Sequence, residues 1–275
     1  MRWLNAALGG LVSAVLYPFR GLPPIVGLTF VALLTSIAIL LVFRAASDQK
    51  ALRRVKNRIT AGILEILLFR DDLRTIFRAQ WDILRHSLTY MRLSLVPMLW
   101  VIVPIVLLMI QLQFHYGYLP LEPGEAAIVR AELAGGEASI QVAELTLSAS
   151  AGLEIATPLL LLPVEREADW RIDAITDGSH ELLVGADGLE LAKKVAVGRH
   201  GGAISPRRPS SGLLDQLLYP VEPPVPGNGP VAAIEIAYAS ATVSLFGWDT
   251  HWMVVFFILT IVFAFALQKP LRVTI

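Results

Sequence analysis

Two long apolar runs divide the chain into parts with different patterns. The runs cover 25–43 and 93–113, and each is close to the roughly 20 helical residues that cross a hydrocarbon core of about 30 Å. A third run reaches a similar length over 250–268 when its polar flanks are included. The pattern predicts three transmembrane helices at these positions. Because Pro97 and Pro104 lie inside the second run, we expect a kink or a local break there.

A shorter segment precedes the first run. Its apolar residues recur at three- and four-residue steps over 3–16, with polar or small residues between them. This spacing predicts a helix that lies on the membrane surface, and with the turn that follows it we assign residues 1–24 to this element. A signal segment is the alternative, although Tyr17-Pro18-Phe19-Arg20 does not resemble a small-residue cleavage site.

Helical spacing also fills the segment 44–92. A break near 69–72 separates two amphipathic stretches, which predicts an antiparallel helical hairpin, and Ser47 or Asp48 is the expected cap of its first helix. Such a hairpin can pack on itself, lie on anionic lipid or receive a partner. The candidate surface for lipid or a partner is basic and consists of Lys50, Arg53, Arg54, Lys56 and Arg58.

The pattern changes to short alternating or β-branched runs over 114–249. The predicted strands are 126–133, 139–147, 153–161, 169–175, 180–184, 189–197 and 231–243. Asp177-Gly178 and Asp187-Gly188 are typical of hairpin turns. We therefore expect an all-β sandwich-like domain with an irregular Pro-rich loop at 205–230. Within that loop, the apolar turns at 213–219 dock either on the sandwich or on the membrane surface.

Composition and charge support a membrane protein and give it an orientation. The chain is 55% hydrophobic and 17% charged, whereas soluble domains are about 45–50% apolar and about 25% charged. Lys and Arg number 11 against 5 Asp and Glu over 44–92, but 8 against 18 over 114–249. Since basic loops stay in the cytoplasm, we expect a cytoplasmic hairpin and an extracytoplasmic β-domain. The cytoplasmic tail is then 269–275, and the orientation is N-out and C-in.

The sequence contains little that indicates catalysis. It has no cysteine, its five histidines are scattered, and it lacks nucleophile and phosphate-binding motifs. The predicted spans hold no Asp, Glu, Lys or Arg, which argues against ion-coupled transport. The basic hairpin lacks the interleaved aromatic residues of nucleic-acid binders. We therefore predict no enzyme, no cofactor, no metal and no nucleic-acid partner.

Four short stretches carry a family resemblance. They are Ser47-Asp48-Gln49-Lys50 with the basic helix to Arg58, Tyr90-Met91-Arg92-Leu93, Pro97-Met98, and Ala264-Phe265-Ala266-Leu267-Gln268-Lys269-Pro270-Leu271. In this arrangement the chain resembles the YidC-type insertase superfamily over roughly 1–113 and 250–275. Its three-span members, the archaeal YidC-like proteins and the insertase subunit of the endoplasmic reticulum membrane complex, are the most similar. The β-domain has no counterpart in those members.

The resemblance implies a groove, open to cytoplasm and lipid, that lowers the cost of moving a polar substrate segment into the bilayer. The hairpin would help to receive nascent or short-tailed membrane proteins. Bacterial insertases place an arginine within the groove, whereas the nearest candidate in this chain lies at the cytoplasmic mouth. The candidate groove residues are Arg44, Thr35, Ser36, Ser94 and Gln111.

Two functions from different classes fit these expectations. The first is a non-enzymatic insertion or assembly factor of the bacterial inner membrane. The second is a membrane-anchored scaffold whose β-domain binds an extracytoplasmic protein partner. A polar, hydrated cavity that opens to the cytoplasm would favour insertion, and a dry helical core would favour the scaffold.

Overall fold

The structure is a computed structural model that describes residues 2–46, 48–69, 72–135, 145–186, 188–198, 202–245, 247–271 and 273. Helices lie before and after a β-rich middle, so the predicted combination of a helical part with a β-domain is confirmed. The helices are α1 (Arg2–Leu16), α2 (Pro24–Ala46), α3 (Gln49–Leu68), α4 (Leu73–Tyr116), α5 (Leu213–Leu218) and α6 (Trp252–Leu267), and a 3-10 turn spans Tyr17–Phe19.

Two helical stretches are long and apolar enough to cross a membrane. They are Pro24–Ala46 and Met98–Tyr116, of 23 and 19 residues. The second begins later than the predicted run at 93. Helix α6 has 16 residues, a length of about 24 Å at 1.5 Å per residue, which is less than a typical hydrocarbon core. Its hydrogen bonding continues for one turn, since the Leu271 N–H donates to the Leu267 carbonyl at 3.0 Å.

Helix α4 is one uninterrupted helix of 44 residues. It therefore joins the second arm of the predicted hairpin to the second apolar stretch. The chain stays helical through Pro97 and Pro104, so a local break, one of the two predicted alternatives, does not occur, and the kink stays a prediction. Each proline removes only its own backbone donor, and the neighbouring residues still close the helical hydrogen bonds.

Two aspartates cap the helices at the hairpin. Asp48 Oδ1 accepts hydrogen bonds from the backbone N–H groups of Lys50 and Ala51 at 3.1 and 2.9 Å, which confirms one of the two predicted caps. Ser47 lies outside the described residues. Asp72 accepts from the Arg74 N–H at 3.0 Å and from the Thr75 hydroxyl at 2.5 Å, and the hydroxyl contact lowers the pKa of Asp72. Both caps satisfy amide groups that the first helical turn leaves free.

Close packing of α3 on α4 forms the hairpin. A Cβ atom on Gly62 of α3 would lie 2.7 Å from Ile83 Cγ1 of α4. Ala79, one turn earlier on α4, is buried. A side chain at position 62 would therefore force Ile83 to move, so glycine suits this contact between the two helices.

The chain divides into two compact units. The first consists of Met1–Gly27 and Leu108–Trp252, and the second of Leu28–Leu107 and Met253–Ile275. The first unit contains α1, the last turns of α4, α5 and all of the described strands. The second contains the hairpin and most of α2 and α6.

The strands of the first unit form two main antiparallel sheets. They are β1 (Ala126–Leu133), β2 (Leu145–Ala149), β3 (Leu153–Ile155), β4 (Leu160–Leu162), β5 (Glu167–Ala174), β6 (Gly178–Ala186), β7 (Leu189–Val197), β8 (Arg207–Arg208), β9 (Val231–Ile236), β10 (Val243–Leu245) and β11 (Trp248–Thr250). One sheet has the order β3-β5-β1-β9-β8, with β4 also paired to β5, and the other has the order β2-β6-β7. Strands β10 and β11 pair only with each other among the described strands.

One apolar cluster is shared by the two sheets. Val129 and Trp170 enter it from the larger sheet, and Leu182 and Val195 enter it from the smaller one. Burial alternates along β5, as expected when every second side chain of a strand points inward. The two sheets therefore enclose a common core in the manner of a sandwich, without any disulfide bond.

The strand and turn predictions have mixed outcomes. Gly188, at φ +80°, lies between β6 and β7, which pair directly, so the predicted hairpin there is confirmed, although Asp187 is outside the described residues. The hairpin predicted at Asp177-Gly178 is wrong, because β5 and β6 belong to different sheets. The predicted strand 153–161 is two strands, β3 and β4, and 231–243 is also divided. The part of the strand 139–147 before Leu145 lies outside the described residues.

Ion pairs hold the Pro-rich segment 205–230 to the sheets. Buried Lys193 of β7 places its Nζ 2.5 Å from Glu222 Oε1 and donates to the Ser205 carbonyl at 2.6 Å. Arg207 forms a bidentate ion pair with Glu132 of β1, in which Nη1 donates to Oε1 and Nη2 donates to Oε2, the latter at 2.7 Å. The segment is largely irregular, as predicted, but charged side chains fix it in place.

Candidate functional site

The structure places Ser36 of the predicted groove in a contact between helices. Its Oγ lies 2.7 Å from the Ala32 carbonyl on α2 and 2.9 Å from the Thr260 carbonyl on α6. Ser36 and its neighbour Thr35 are both buried. The single hydroxyl proton is shared between carbonyls of α2 and α6, and Ser36 has no exposed surface, so its side chain links the two helices and does not face water.

Arg44 lies near the end of α2 and is exposed. Its Nη1 donates to the Leu271 carbonyl at 3.3 Å, just beyond the end of α6. Nine residues of helix separate position 35 from position 44, or about 13 Å at 1.5 Å per residue. Arg44 and the buried Thr35 and Ser36 are therefore at different levels of the helix, and the role of Arg44 at a groove mouth stays a prediction.

The last two groove candidates have different surroundings. Ser94 Oγ is shielded from solvent and has no hydrogen-bond partner among the described residues. Gln111 belongs to the first unit, where its side-chain oxygen lies close to Gly9 of α1. Among the described residues, no group of His, Asp or Glu side chains is arranged to hold a metal ion.

A groove does exist between α2 and α4 in the second unit, but its lining is apolar. Its volume is about 510 Å³, and it is lined by Val42, Leu99, Trp100, Val103 and Pro104. An apolar groove accepts hydrocarbon chains or apolar side chains, whereas a polar segment would lose hydrogen bonds there. An apolar lining is not the polar cavity that insertion of a polar segment would need, so this groove favours the scaffold on that point.

Helix α4 carries an exposed apolar stripe in the second unit, which we call the α4 stripe. Its members are Phe77, Trp81, Leu84, Leu88, Met91, Leu95, Met98 and Ile102. They follow one another at steps of four and three residues, and each is between 40% and 70% exposed. Steps of this kind place side chains on one face of a helix.

Packing of the hairpin on itself leaves this stripe uncovered. Helix α3 contacts α4 through Ala79 and Ile83, which occupy a different face. Apolar residues on the second half of α3 are exposed as well, among them Ile63, Leu64, Leu67 and Leu68. The hairpin therefore packs on itself through one face of α4, as one of the three alternatives predicts. This packing does not cover the α4 stripe on the other face.

Three arginines border the α4 stripe at intervals of seven residues. Arg78, Arg85 and Arg92 are all exposed. Because seven residues bring a helix back to within about 20° of the same direction, they form one positively charged edge. The predicted basic surface of α3, from Lys50 to Arg58, is exposed too. The hairpin therefore combines an apolar face with basic borders.

Comparison of the chain with protein-family models, with curated proteins and with solved structures gives no match. The resemblance to the YidC-type superfamily therefore stays a prediction.

Proposed function

We propose that this chain is a non-enzymatic insertion or assembly factor for membrane proteins in the bacterial inner membrane. The observation that supports the proposal is the α4 stripe. Contiguous exposed apolar surfaces of this kind mark sites of interaction. The stripe continues from the hairpin into the apolar stretch Met98–Tyr116 on the same helix. An apolar segment bound to the hairpin can therefore follow α4 toward the bilayer without returning to water.

The chemistry of the stripe indicates what it binds. Burying one large apolar side chain contributes about 1.5–3 kcal/mol, so an apolar helix that covers several stripe residues gains enough to stay bound. The arginine edge would attract anionic headgroups or acidic residues that flank such a helix. We therefore propose that the client is the apolar segment of a nascent or short-tailed membrane protein, and that membrane lipid surrounds it.

In the proposed topology the hairpin is cytoplasmic and the β-domain is extracytoplasmic, so the N-terminus lies outside and the C-terminus inside. The natural absence of cysteine allows Thr60→Cys and Ser179→Cys variants, both at exposed positions, to report on it. A membrane-impermeant maleimide added outside intact cells should label Ser179→Cys alone. Labelling of Thr60→Cys from outside would overturn the orientation that the charge distribution predicts.

Photo-crosslinking tests whether the α4 stripe touches a client. A photoreactive amino acid at Leu84 should crosslink to a radiolabelled nascent membrane protein during its synthesis. The same amino acid at Asp82, exposed on the polar side of α4, is the matched control and should give a much lower yield. Equal yields at the two positions would contradict binding by the stripe.

A scaffold remains the second candidate, and the apolar groove together with the engaged Ser36 favours it. In that case the β-domain would bind an extracytoplasmic protein, and the helices would serve as its anchor. A scaffold should give one crosslinked product of constant size from native membranes. An insertion factor should give many products that depend on active protein synthesis.

A further inference from the structure

Helix α5 interrupts the Pro-rich segment of the β-domain with an exposed apolar face. Leu213, Leu214 and Leu218 are 66%, 76% and 52% exposed. Asp215 is the only charged residue of this helix, and it is turned toward the protein: Oδ2 accepts from the Ser210 N–H at 2.6 Å, and Oδ1 lies 3.5 Å from Arg207 Nε. The outward surface of α5 is therefore dominated by its leucines.

Contacts within the first unit hold α5 beside the end of α4. The ring of Tyr219, the residue after α5, meets the ring of Phe114 edge-on, with centroids 6.2 Å apart. The Ile204 N–H from the start of the Pro-rich region donates to the Phe114 carbonyl at 2.7 Å. Phe114 is buried and belongs to the apolar stretch Met98–Tyr116. The end of helix α5 thus lies close to the last turn of that stretch.

Helix α1 lies against both α5 and α4 in the same unit. The Asn5 side-chain amide donates to the Gln216 carbonyl of α5 at 2.7 Å. Further along α1, Ser13 Oγ lies 3.4 Å from His115 Nε2 of α4. Helix α1 also exposes apolar side chains, and Trp3 is 90% exposed. Two neighbouring helices at the end of an apolar span therefore present uncovered apolar surface.

We propose that α5 is a lipid-contacting element that seats the β-domain on the outer surface of the membrane, with its leucines in the interfacial region beside α1. Helices of this kind bury their apolar face about 5–10 Å into the boundary between headgroups and acyl chains. Tryptophan is enriched at the same level. The occupant is lipid because α1 and the residue that follows α5 both contact the last turn of α4, at the end of a stretch that is long and apolar enough to cross a membrane. The inference depends on α4 spanning the membrane and is independent of insertion activity.

Site-directed spin labelling of the full chain tests this inference. Leu214→Cys carries a nitroxide on α5, and Val164→Cys, which is 81% exposed at the turn between β4 and β5, is the matched control. The labelled chains are reconstituted in vesicles of phosphatidylcholine and phosphatidylglycerol. The Leu214 label should collide more often with oxygen than with a water-soluble nickel chelate, and the Val164 label should show the opposite preference.

Each outcome decides the inference. A Leu214 label that resembles the Val164 label would place α5 in water and overturn it. A label shielded from both reagents would indicate cover by protein and would overturn it too. Leu218→Cys repeats the measurement at a second position of α5. A label at Val106, exposed on α4, reports separately on the span, so failure of α5 to meet lipid is distinguishable from failure of α4 to cross the membrane.

Discussion

Replacement of Glu222 with alanine is expected to destabilise the β-domain by about 3–5 kcal/mol, which is the usual cost of leaving a buried charge without its partner. Lys193 is completely buried, and its ammonium group is surrounded by Glu222 and the carbonyls of Ser205 and Lys194. Burial lowers the pKa of Lys193, and the Glu222 carboxylate opposes that effect. Glu222→Ala removes the carboxylate that lies 2.5 Å from the Lys193 ammonium.

Denaturant unfolding of the fragment 118–246 measures this effect. The shared apolar cluster lies wholly within these residues, so the fragment should unfold in one cooperative transition. The double variant Lys193→Met/Glu222→Leu removes both charges and should recover most of the lost stability. Glu235→Ala, which removes a more exposed partner of Arg207, is the matched control and should cost less than about 1 kcal/mol. Equal losses for Glu222→Ala and Glu235→Ala would contradict this interpretation of the buried pair.

The double variant Leu84→Glu/Leu88→Glu is expected to weaken client binding at least tenfold. Two leucines that become covered contribute about 1.5–3 kcal/mol each, and each 1.4 kcal/mol is about a factor of ten in affinity. Because both side chains are exposed in the free chain, thermal stability should change little. With the photoreactive amino acid moved to Met91, another exposed member of the α4 stripe, in both the unmodified chain and the variant, the yield of the client crosslink against client concentration measures the change in affinity.

A matched control separates this effect from that of added charge. Thr60→Glu/Thr89→Glu places two carboxylates at exposed polar positions of the same hairpin. It should leave client binding close to that of the unmodified chain. Similar losses in the two double variants would indicate that negative charge, and not the loss of the apolar face, weakens binding.

Periodicity predicted much of the architecture. The 3–4 residue spacing located the hairpin, and uninterrupted apolar runs located Pro24–Ala46 and most of Met98–Tyr116. Alternation predicted β1, β5 and β7 closely, because each has one face in the shared core. Each of these patterns lies within one short segment of the chain, so it can be recognised without knowing which distant residues the segment contacts.

Features that depend on distant residues could not be predicted in this way. Asp177-Gly178 has the composition of a hairpin turn, but only the sheet order shows that it connects two different sheets. Lys193 gives no signal in the sequence, since its partner lies 29 residues away in an irregular segment. Likewise, helical spacing identified the apolar positions of α4 without revealing that Gly62 directs α3 to a different face. The sequence therefore shows the apolar spacing of the α4 stripe, but only the structure shows that this face is exposed.

Insertion is measured most directly with the purified chain in sealed vesicles. A short-tailed membrane protein is synthesised in the presence of these vesicles and in the absence of any other insertion factor. The fraction of its apolar segment that is protected from protease is then recorded. We predict that vesicles containing the chain protect clearly more substrate than empty vesicles, and that Leu84→Glu/Leu88→Glu removes most of the gain. Protection equal to that of empty vesicles would contradict insertion and leave the scaffold as the remaining candidate.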